Sequence, residues 1–250
     1  MSRPEHVYGM HAVAALLATR PTAVAALAIV GGGDTRRAAL LAQAQAAGIS
    51  VERVSRKALD QRLPGINHQG VLATVRGDGL ALDEQALPAL LAALGEPALL
   101  LVLDGVQDPH NLGACLRSAD AAGVHAVILP RDRATGITPV VHKVACGAVQ
   151  ALPVVTVTNL ARCLRTLRAA GIWLYGASDS APQPVYAADL TGPLALVLGG
   201  EGGGLRRLTR ELCDFEVAIP MAGTVSSLNV SVAAGVLLFE AVRQRSARKI

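Results

Sequence analysis

Aromatic residues are scarce in this chain: one Trp, three Tyr and two Phe among 250 residues. A single-strand-binding platform built on successive stacking rings is therefore not expected. Cysteines are few and scattered, at Cys115, Cys146, Cys163 and Cys213. No C-x-x-C pair and no histidine at ligand spacing accompanies them. That excludes a metal ribbon and a disulfide framework, and leaves them as buried small hydrophobes in a reducing compartment. Apolar runs such as AVAALAIVGGG (23–33) are too short to span a bilayer. The opening MSRPEHVYGM has no signal-peptide core. A cytoplasmic protein without a membrane partner is expected. Two phosphate-binding patterns are also missing from the glycine-rich stretch 198–207, LGGEGGGLRR. Glu201 and Leu205 break G-x-G-x-x-G, and Leu205-Arg206 stand where a P-loop has Lys and Ser/Thr. A carboxylate in mid-loop would repel phosphates, so a dinucleotide-dependent oxidoreductase is disfavoured.

What is present is unevenly charged. Residues 1–77 carry nine Lys/Arg against four Asp/Glu, and residues 78–96 carry four acids and no base. Residues 97–250 carry fourteen bases against eleven acids. A basic first module facing a polyanion follows, separated from the rest by an acidic stretch. Hydrophobic periodicity predicts helices at 10–19, 35–47 and 55–63 and strands at 24–30, 49–54 and 71–75, a small αβαβαβ sandwich. GDG (77–79) breaks it, and 83–94 reads as an acidic connecting helix. Strands are then predicted near 98–103, 124–129, 153–157, 171–176, 194–198 and 215–219. Helices lie between them near 109–122, 138–148, 159–170 and 205–213, with a last one at 229–244. Such alternation implies an α/β fold with a mostly parallel sheet. The expected domains are 1–77, a linker at 78–97, and 98–250.

Three segments at strand ends carry the chemistry. DGVQDPHNLGACLRSADAAG (104–123) follows an apolar strand; Asp108-Pro109 has the form of a helix N-terminus, and Leu112, Cys115, Leu116 and Ala119 make a core-facing stripe. Asn111 and Arg117 lie elsewhere on that helix surface. In the second segment, 194–223, five glycines surround Glu201 and would let a ligand lie close to backbone. In the third, Ser226, Ser227 and Asn229 precede a helix whose interior Gly235 suggests a close approach by another element or another chain.

DPHNLGACLRSADAAGV (108–124), LVLGGEGGGLRRLTRE (196–211) and IPMAGTVSSLNVSVAAGVLLFEAVRQ (219–244) resemble the three motifs of the SpoU (TrmH) family of RNA ribose 2′-O-methyltransferases. YGMHAV (8–13) and GINHQG (65–70) resemble the L30e-like RNA-binding domain attached to many members. The resemblance implies a SPOUT-type trefoil knot in the C-terminal domain, S-adenosylmethionine as methyl donor, no metal, and a homodimer formed through the C-terminal domain. Agreement in both domains points to the branch acting on a guanosine of 23S rRNA in the peptidyl-transferase region, with a tRNA guanosine-2′-O-methyltransferase and a non-catalytic RNA-binding protein as alternatives; DNA is not an expected partner. Carried over by motif, Gly199, Gly200, Ile219, Met221 and Leu228 would contact the donor. Arg117, Asn111, Glu201, Ser227 and Asn229 would form the catalytic group. A guanidinium is a poor general base, so Arg117 is expected to position the acceptor and stabilise its developing alkoxide. Arg36, Arg37, Arg56, Lys57 and Arg62, with Arg53 beside them, could contact RNA phosphates. His68 and Gln69 are expected to be turn structure, and His110 and His142 have no assigned role.

Overall fold

The computed structural model describes residues 5–19, 21–32, 34–65, 68–75, 81–92 and 94–247. The expected break at 77–79, and Ile66 and Asn67 of the GINHQG loop, lie outside the described residues. Two compact units result: Met1–Ala81 with Cys146–Ala151, and Leu82–Ala145 with Leu152–Ile250.

The first unit contains β1 (Glu5–Tyr8), α1 (Met10–Thr19), β2 (Val24–Val30), α2 (Thr35–Ala46), β3 (Ser50–Val54), α3 (Arg56–Arg62) and β4 (Val71–Val75). Its sheet runs β1-β4-β2-β3, with β2 and β3 parallel and β4 antiparallel to β1 and β2. Strand β1 was not expected. EHVY is too short and polar to alternate clearly, and backbone pairing to β4 recruits it. Asp34 caps α2 by accepting from the Arg36 N–H at 2.9 Å, and Ser55 caps α3 through the Ala58 N–H at 3.1 Å.

The chain continues through β5 (Ala81–Asp83), α4 (Leu87–Ala92), β6 (Leu99–Asp104), α5 (Pro109–Ala121), β7 (Ala126–Pro130), α6 (Pro139–Ala145), α7 (Ala148–Ala151) and β8 (Val154–Val157). It ends with α8 (Leu160–Ala169), β9 (Trp173–Ala177), β10 (Gln183–Pro184), β11 (Leu194–Gly199), α9 (Arg207–Leu212), β12 (Phe215–Ala218) and α10 (Val230–Ala247). Eight strands form one sheet in the order β10-β12-β9-β11-β6-β7-β8-β5. Every pairing from β10 to β8 is parallel. Every residue of β6, LLLVLD, is buried, as a central strand covered on both faces requires.

Two expectations change here. The connecting helix is shorter than 83–94: Ala81–Asp83 is an edge strand, and α4 starts at Leu87. Glu84 holds this segment down, accepting from the Arg162 guanidinium at 2.5 and 3.0 Å and from Thr158 Oγ1 at 3.2 Å. Those bonds, Arg162 foremost, keep its carboxyl below the usual range. The helix expected at 138–148 breaks in two because Cys146 (φ 52°) and Gly147 (φ 102°) turn left-handed. Cys146 is exposed, unlike the buried Cys115 and Cys163, which corrects the uniform reading of the cysteines. Gly235 is not demanded from within the chain, since a Cβ there would meet Ser118 Oγ at an ordinary 3.8 Å.

The end of α10 is stapled to the sheet. Arg245 donates through Nε to Leu190 O (3.2 Å), through Nη1 to Pro97 O (2.9 Å), and through Nη2 to Ala98 O (2.8 Å) and Gly192 O (2.6 Å). Burial pulls its pKa down, against the opposing field of Glu96. These carbonyls precede β6 and β11, so one guanidinium ties the last helix to the start of two central strands. Charge-assisted hydrogen bonds are worth about 1.5–3 kcal/mol each and are not additive. Arg245→Ala is expected to lower unfolding free energy by about 2–4 kcal/mol in urea titrations. Arg245→Lys should recover less than half of this, because an ammonium cannot span four carbonyls. No helix among the described residues is long and apolar enough to cross a membrane.

Candidate functional site

Parallel strands deliver their following loops to one edge of a sheet. Here the loops after β9, β11 and β12 meet around one cavity of about 710 Å³. That volume falls in the ~300–1,000 Å³ range of small-molecule sites.

The loop after β11 is folded on itself. Gly200 and Gly204 form an isolated bridge, and a Cβ on Gly199 would lie 1.9 Å from the Gly204 carbonyl carbon. A Cβ on Gly200 would lie 2.3 Å from Gly105 O. Glycine at both positions is therefore required by backbone packing as well as by proximity to the cavity. Asp104, buried at the end of β6, holds both feet of this loop. Its carbonyl accepts the Gly200 N–H at 3.1 Å, and its carboxylate accepts the Arg206 N–H at 3.2 Å and Arg206 Nε at 2.6 Å.

The loop tip carries Glu201 to the start of α5. Asp108 caps that helix through the His110 N–H (2.9 Å) with Pro109 in its first turn, as the sequence predicts. Asn111 Nδ2 donates to Glu201 Oε1 at 2.7 Å, and Asn229 Nδ2 donates to Asn111 Oδ1 at 3.0 Å. Asn229 Oδ1 in turn accepts from Ser231 Oγ at 2.7 Å and the Ser231 N–H at 2.9 Å. Segments far apart in the chain thus form one directional relay, whose donors all point toward the Glu201 carboxylate. Burial would raise the pKa of Glu201. Hydrogen bonds from Asn111, its own backbone and the Gln107 N–H outweigh that and hold it below the usual value of 4.5.

Gly199, Gly200, Ile219, Met221 and Leu228 all line the cavity, together with Glu201, Ser227 and Asn229. Arg117 is exposed on α5, six residues beyond Asn111 and so about 9 Å along the helix axis. His110 is exposed beside Asn111, and His142 is buried on α6. Sequence reasoning missed the wall formed by Ala177, Ser178, Asp179, Ser180 and Arg210. There the two serine hydroxyls lie 3.0 Å apart, Arg210 reaches both, and its Nε pairs with Glu216 at 3.0 Å. The signal available was positional: ASDS follows a strand at the same edge as the glycine loop. Asp104 and Arg206 were also missed.

In the first unit, β2 and β3 run parallel, so α2 and α3 begin at the same edge of that sheet. Arg36, Arg37, Arg56 and Lys57 occupy the first turns of these helices. Arg53 is exposed on β3. Arg62 sits at the far end of α3 in a two-pronged pair with Glu52, at 2.7 and 2.8 Å. His68 accepts the Gly70 N–H at 3.0 Å and faces Asp60 at 2.9 Å, while Gln69 (φ 55°) accepts the Met10 N–H at 2.9 Å. Both are turn structure.

Residues 98–239 match the SpoU rRNA Methylase family, and residues 6–78 match the RNA 2′-O ribose methyltransferase substrate-binding family. The chain is 53% identical over 246 residues to the 23S rRNA (guanosine-2′-O-)-methyltransferase RlmB of Vibrio parahaemolyticus, covering 98% of this chain and 99% of that one. It is 54% identical over 242 residues to the RlmB of Pectobacterium atrosepticum, covering 96% and 98%. Among solved structures it is similar to the SpoU methyltransferase AviRb of Streptomyces viridochromogenes in complex with AdoMet. That match has a TM-score of 0.79 and 30% identity, over 98% of this chain and 91% of that one.

Proposed function

Because this chain belongs to the SpoU rRNA methylase family, we propose that it transfers a methyl group from S-adenosylmethionine to the 2′-hydroxyl of a guanosine in 23S rRNA. The observation that carries this reading is the Ser231–Asn229–Asn111–Glu201 relay at the wall of a glycine-lined cavity. The cavity suits a nucleoside-sized donor, and Gly202, Gly203 and Gly204 face open space where side chains would crowd it. When bound, the donor supplies an electrophilic sulfonium methyl. Gly199, Gly200, Ile219, Met221 and Leu228 would hold it through backbone and apolar contact.

The relay fixes the Asn111 carboxamide, so its orientation does not have to be found during reaction. Glu201, held ionised, anchors that amide and keeps the glycine loop closed over the cavity. Ser227 lines the wall beside Asn229. Arg117 orients the acceptor nucleotide and stabilises negative charge growing on its 2′-oxygen. The hydroxyl proton leaves to phosphate or water. Arg36, Arg37, Arg56 and Lys57, with Arg53, would bind backbone phosphates of the RNA. Arg62 contributes there only if Glu52 releases it, and Arg37, half-buried and paired with Asp34 at 3.5 Å, only if that pair opens.

The proposal extends to a trefoil knot, supported by the return of residues 219–229 to line the same cavity as the loops after β9 and β11. It extends to a homodimer, supported by Val232 and Phe239, half exposed on α10. A cytoplasmic site of action accords with relatives named for 23S rRNA. The proposed working division is an RNA-binding part at 1–77 and a catalytic part at 98–250; of the expected linker at 78–97, residues 82–97 belong to the second unit. The test offers labelled donor with 23S rRNA and bulk tRNA, each from cells lacking the modification. Label at one guanosine 2′-oxygen of 23S rRNA, lost in Arg117→Ala, supports the reading; label in tRNA alone overturns the substrate. Near-normal turnover by Arg117→Lys would exclude a role for the planar guanidinium.

A further inference from the structure

The loop after β7, residues 131–136, packs against the loop after β6. Strand β7 is the neighbour of β6. The Arg131 N–H is fixed to Val157 O at 2.8 Å, and the Thr135 N–H is fixed to Val106 O at 2.9 Å. A Cβ on Gly105 would meet the Arg133 carbonyl oxygen at 3.4 Å. The same 105–107 backbone reaches Glu201 through the Gln107 N–H at 3.4 Å. Two facts bear on the arginines of this loop, beyond its anchoring to the 105–107 backbone. The first is conformation: Arg133 is left-handed at φ 59°, a state that a side-chain-bearing residue rarely adopts. Such outliers persist where the surroundings impose them, and they concentrate at functional sites. The second is charge. In the second unit Arg162, Arg168, Arg206, Arg207, Arg210 and Arg243 are each in an ion pair and Arg245 is spent on carbonyls, while Arg165 on α8 is exposed without a side-chain partner among the described residues. Arg131 and Arg133 are exposed and have no side-chain partner among the described residues. The carboxylate nearest in sequence is Asp132, itself exposed, so the loop tip keeps a net positive charge.

We infer that Arg131 and Arg133 form a phosphate-binding site for the RNA strand that carries the acceptor ribose. This rests on the methyltransfer reading above and adds to it a contact within the catalytic unit, distinct from the basic edge of the first unit. Two guanidiniums rooted two positions apart, on a loop anchored at both ends, can grip backbone phosphates. They carry no base information, and they would set where the strand enters relative to Asn111 and Glu201.

Arg133→Gly separates this role from a structural one, because glycine adopts φ 59° freely. The variant is expected to melt no lower than the wild type. Its KM for unmodified 23S rRNA should rise about tenfold, with donor affinity by calorimetry and kcat nearly unchanged. Arg131→Ala/Arg133→Gly should flatten the dependence of RNA affinity on salt by about one unit of log–log slope per lost contact. Arg165→Ala, the same charge change on the exposed face of α8, is the control and should leave RNA KM alone. Equal effects of the 133 and 165 variants would reduce the site to net charge and overturn it. Weakened donor binding in Arg133→Gly would show a structural loop and overturn it as well. Wild-type protein that methylates no 23S rRNA would instead refute the methyltransfer reading, leaving calorimetric RNA binding by the same variants to decide the phosphate site.

Discussion

Asn111→Asp is expected to cut kcat about a hundredfold at about pH 8 and to regain a large part of it as pH falls toward about 6. In the wild type Asn111 Nδ2 donates to Glu201 Oε1 at 2.7 Å. The substitution replaces that donor with a second carboxylate at the same distance. Two carboxylates so close resist ionising together, and the pair titrates with one raised apparent pKa. Above it, repulsion pushes Glu201 and the glycine loop away from α5. Below it, the introduced carboxyl is protonated and can donate to Glu201 while its other oxygen still accepts from Asn229 Nδ2, so the relay is rebuilt. The wild type behaves differently. Its Glu201 is held below 4.5, so what those hydrogen bonds contribute to stability is present above the unfolded value and is lost only as pH falls through the lower folded one. No titration of Glu201 is therefore expected between about pH 5 and 9. Asn111→Ala should lose activity at every pH without recovery. The measurement is a pH profile of single-turnover methyl transfer for the three proteins. Parallel profiles for wild type and Asn111→Asp would show that the Asn111–Glu201 bond has no bearing on transfer.

Asn111, Glu201 and Asn229 were legible one by one, since each falls in a polar stretch of a chemistry-bearing segment; Ser231, inside α10, was not. Nor was their order. Asn111, Glu201 and Asn229 are spread over 118 positions, and nothing in the sequence says which oxygen faces which amide. Helices announced themselves through periodicity and through a cap such as Asp108-Pro109, and the central strands through unbroken apolar runs. The shortest edge strands did not. EHVY and the Gln183–Pro184 pair have too few residues to show a period, and tertiary pairing alone makes them strands. The α6–α7 break was equally hidden, because Cys146-Gly147 lies in a stretch with helical periodicity and only the left-handed φ of 52° and 102° ends it. Arg206 drew notice only as a residue that breaks the P-loop pattern. Its partner lies 102 positions earlier, at the end of a strand that reads as wholly apolar up to its last residue.

That partner supports the second large effect. Asp104→Ala is expected to remove methyl transfer almost entirely and to cost about 2–4 kcal/mol of stability. Asp104→Asn should cost about 1 kcal/mol yet still lower kcat tenfold or more. The Asp104 side chain is fully buried, while Arg206 keeps 41% of its side chain exposed. Breaking the pair therefore does not strand a buried cation, and the penalty reaches no further than the lower part of the ~3–5 kcal/mol range of a fully buried ion pair. What is stranded is the Arg206 N–H, and with it the far foot of the glycine loop. The near foot, Gly200 N–H on Asp104 O, survives both substitutions because it uses backbone. A loop fixed at one foot no longer holds Glu201 at hydrogen-bond distance from Asn111, and a shift of about 1 Å at a catalytic group suffices for a hundredfold loss. If Asp104 acts through Glu201, the Asp104→Asn and Glu201→Gln losses in kcat will not add in the double variant. Additive losses would mean that the clasp supports the fold alone, and urea titration of the same three proteins would then account for the whole effect.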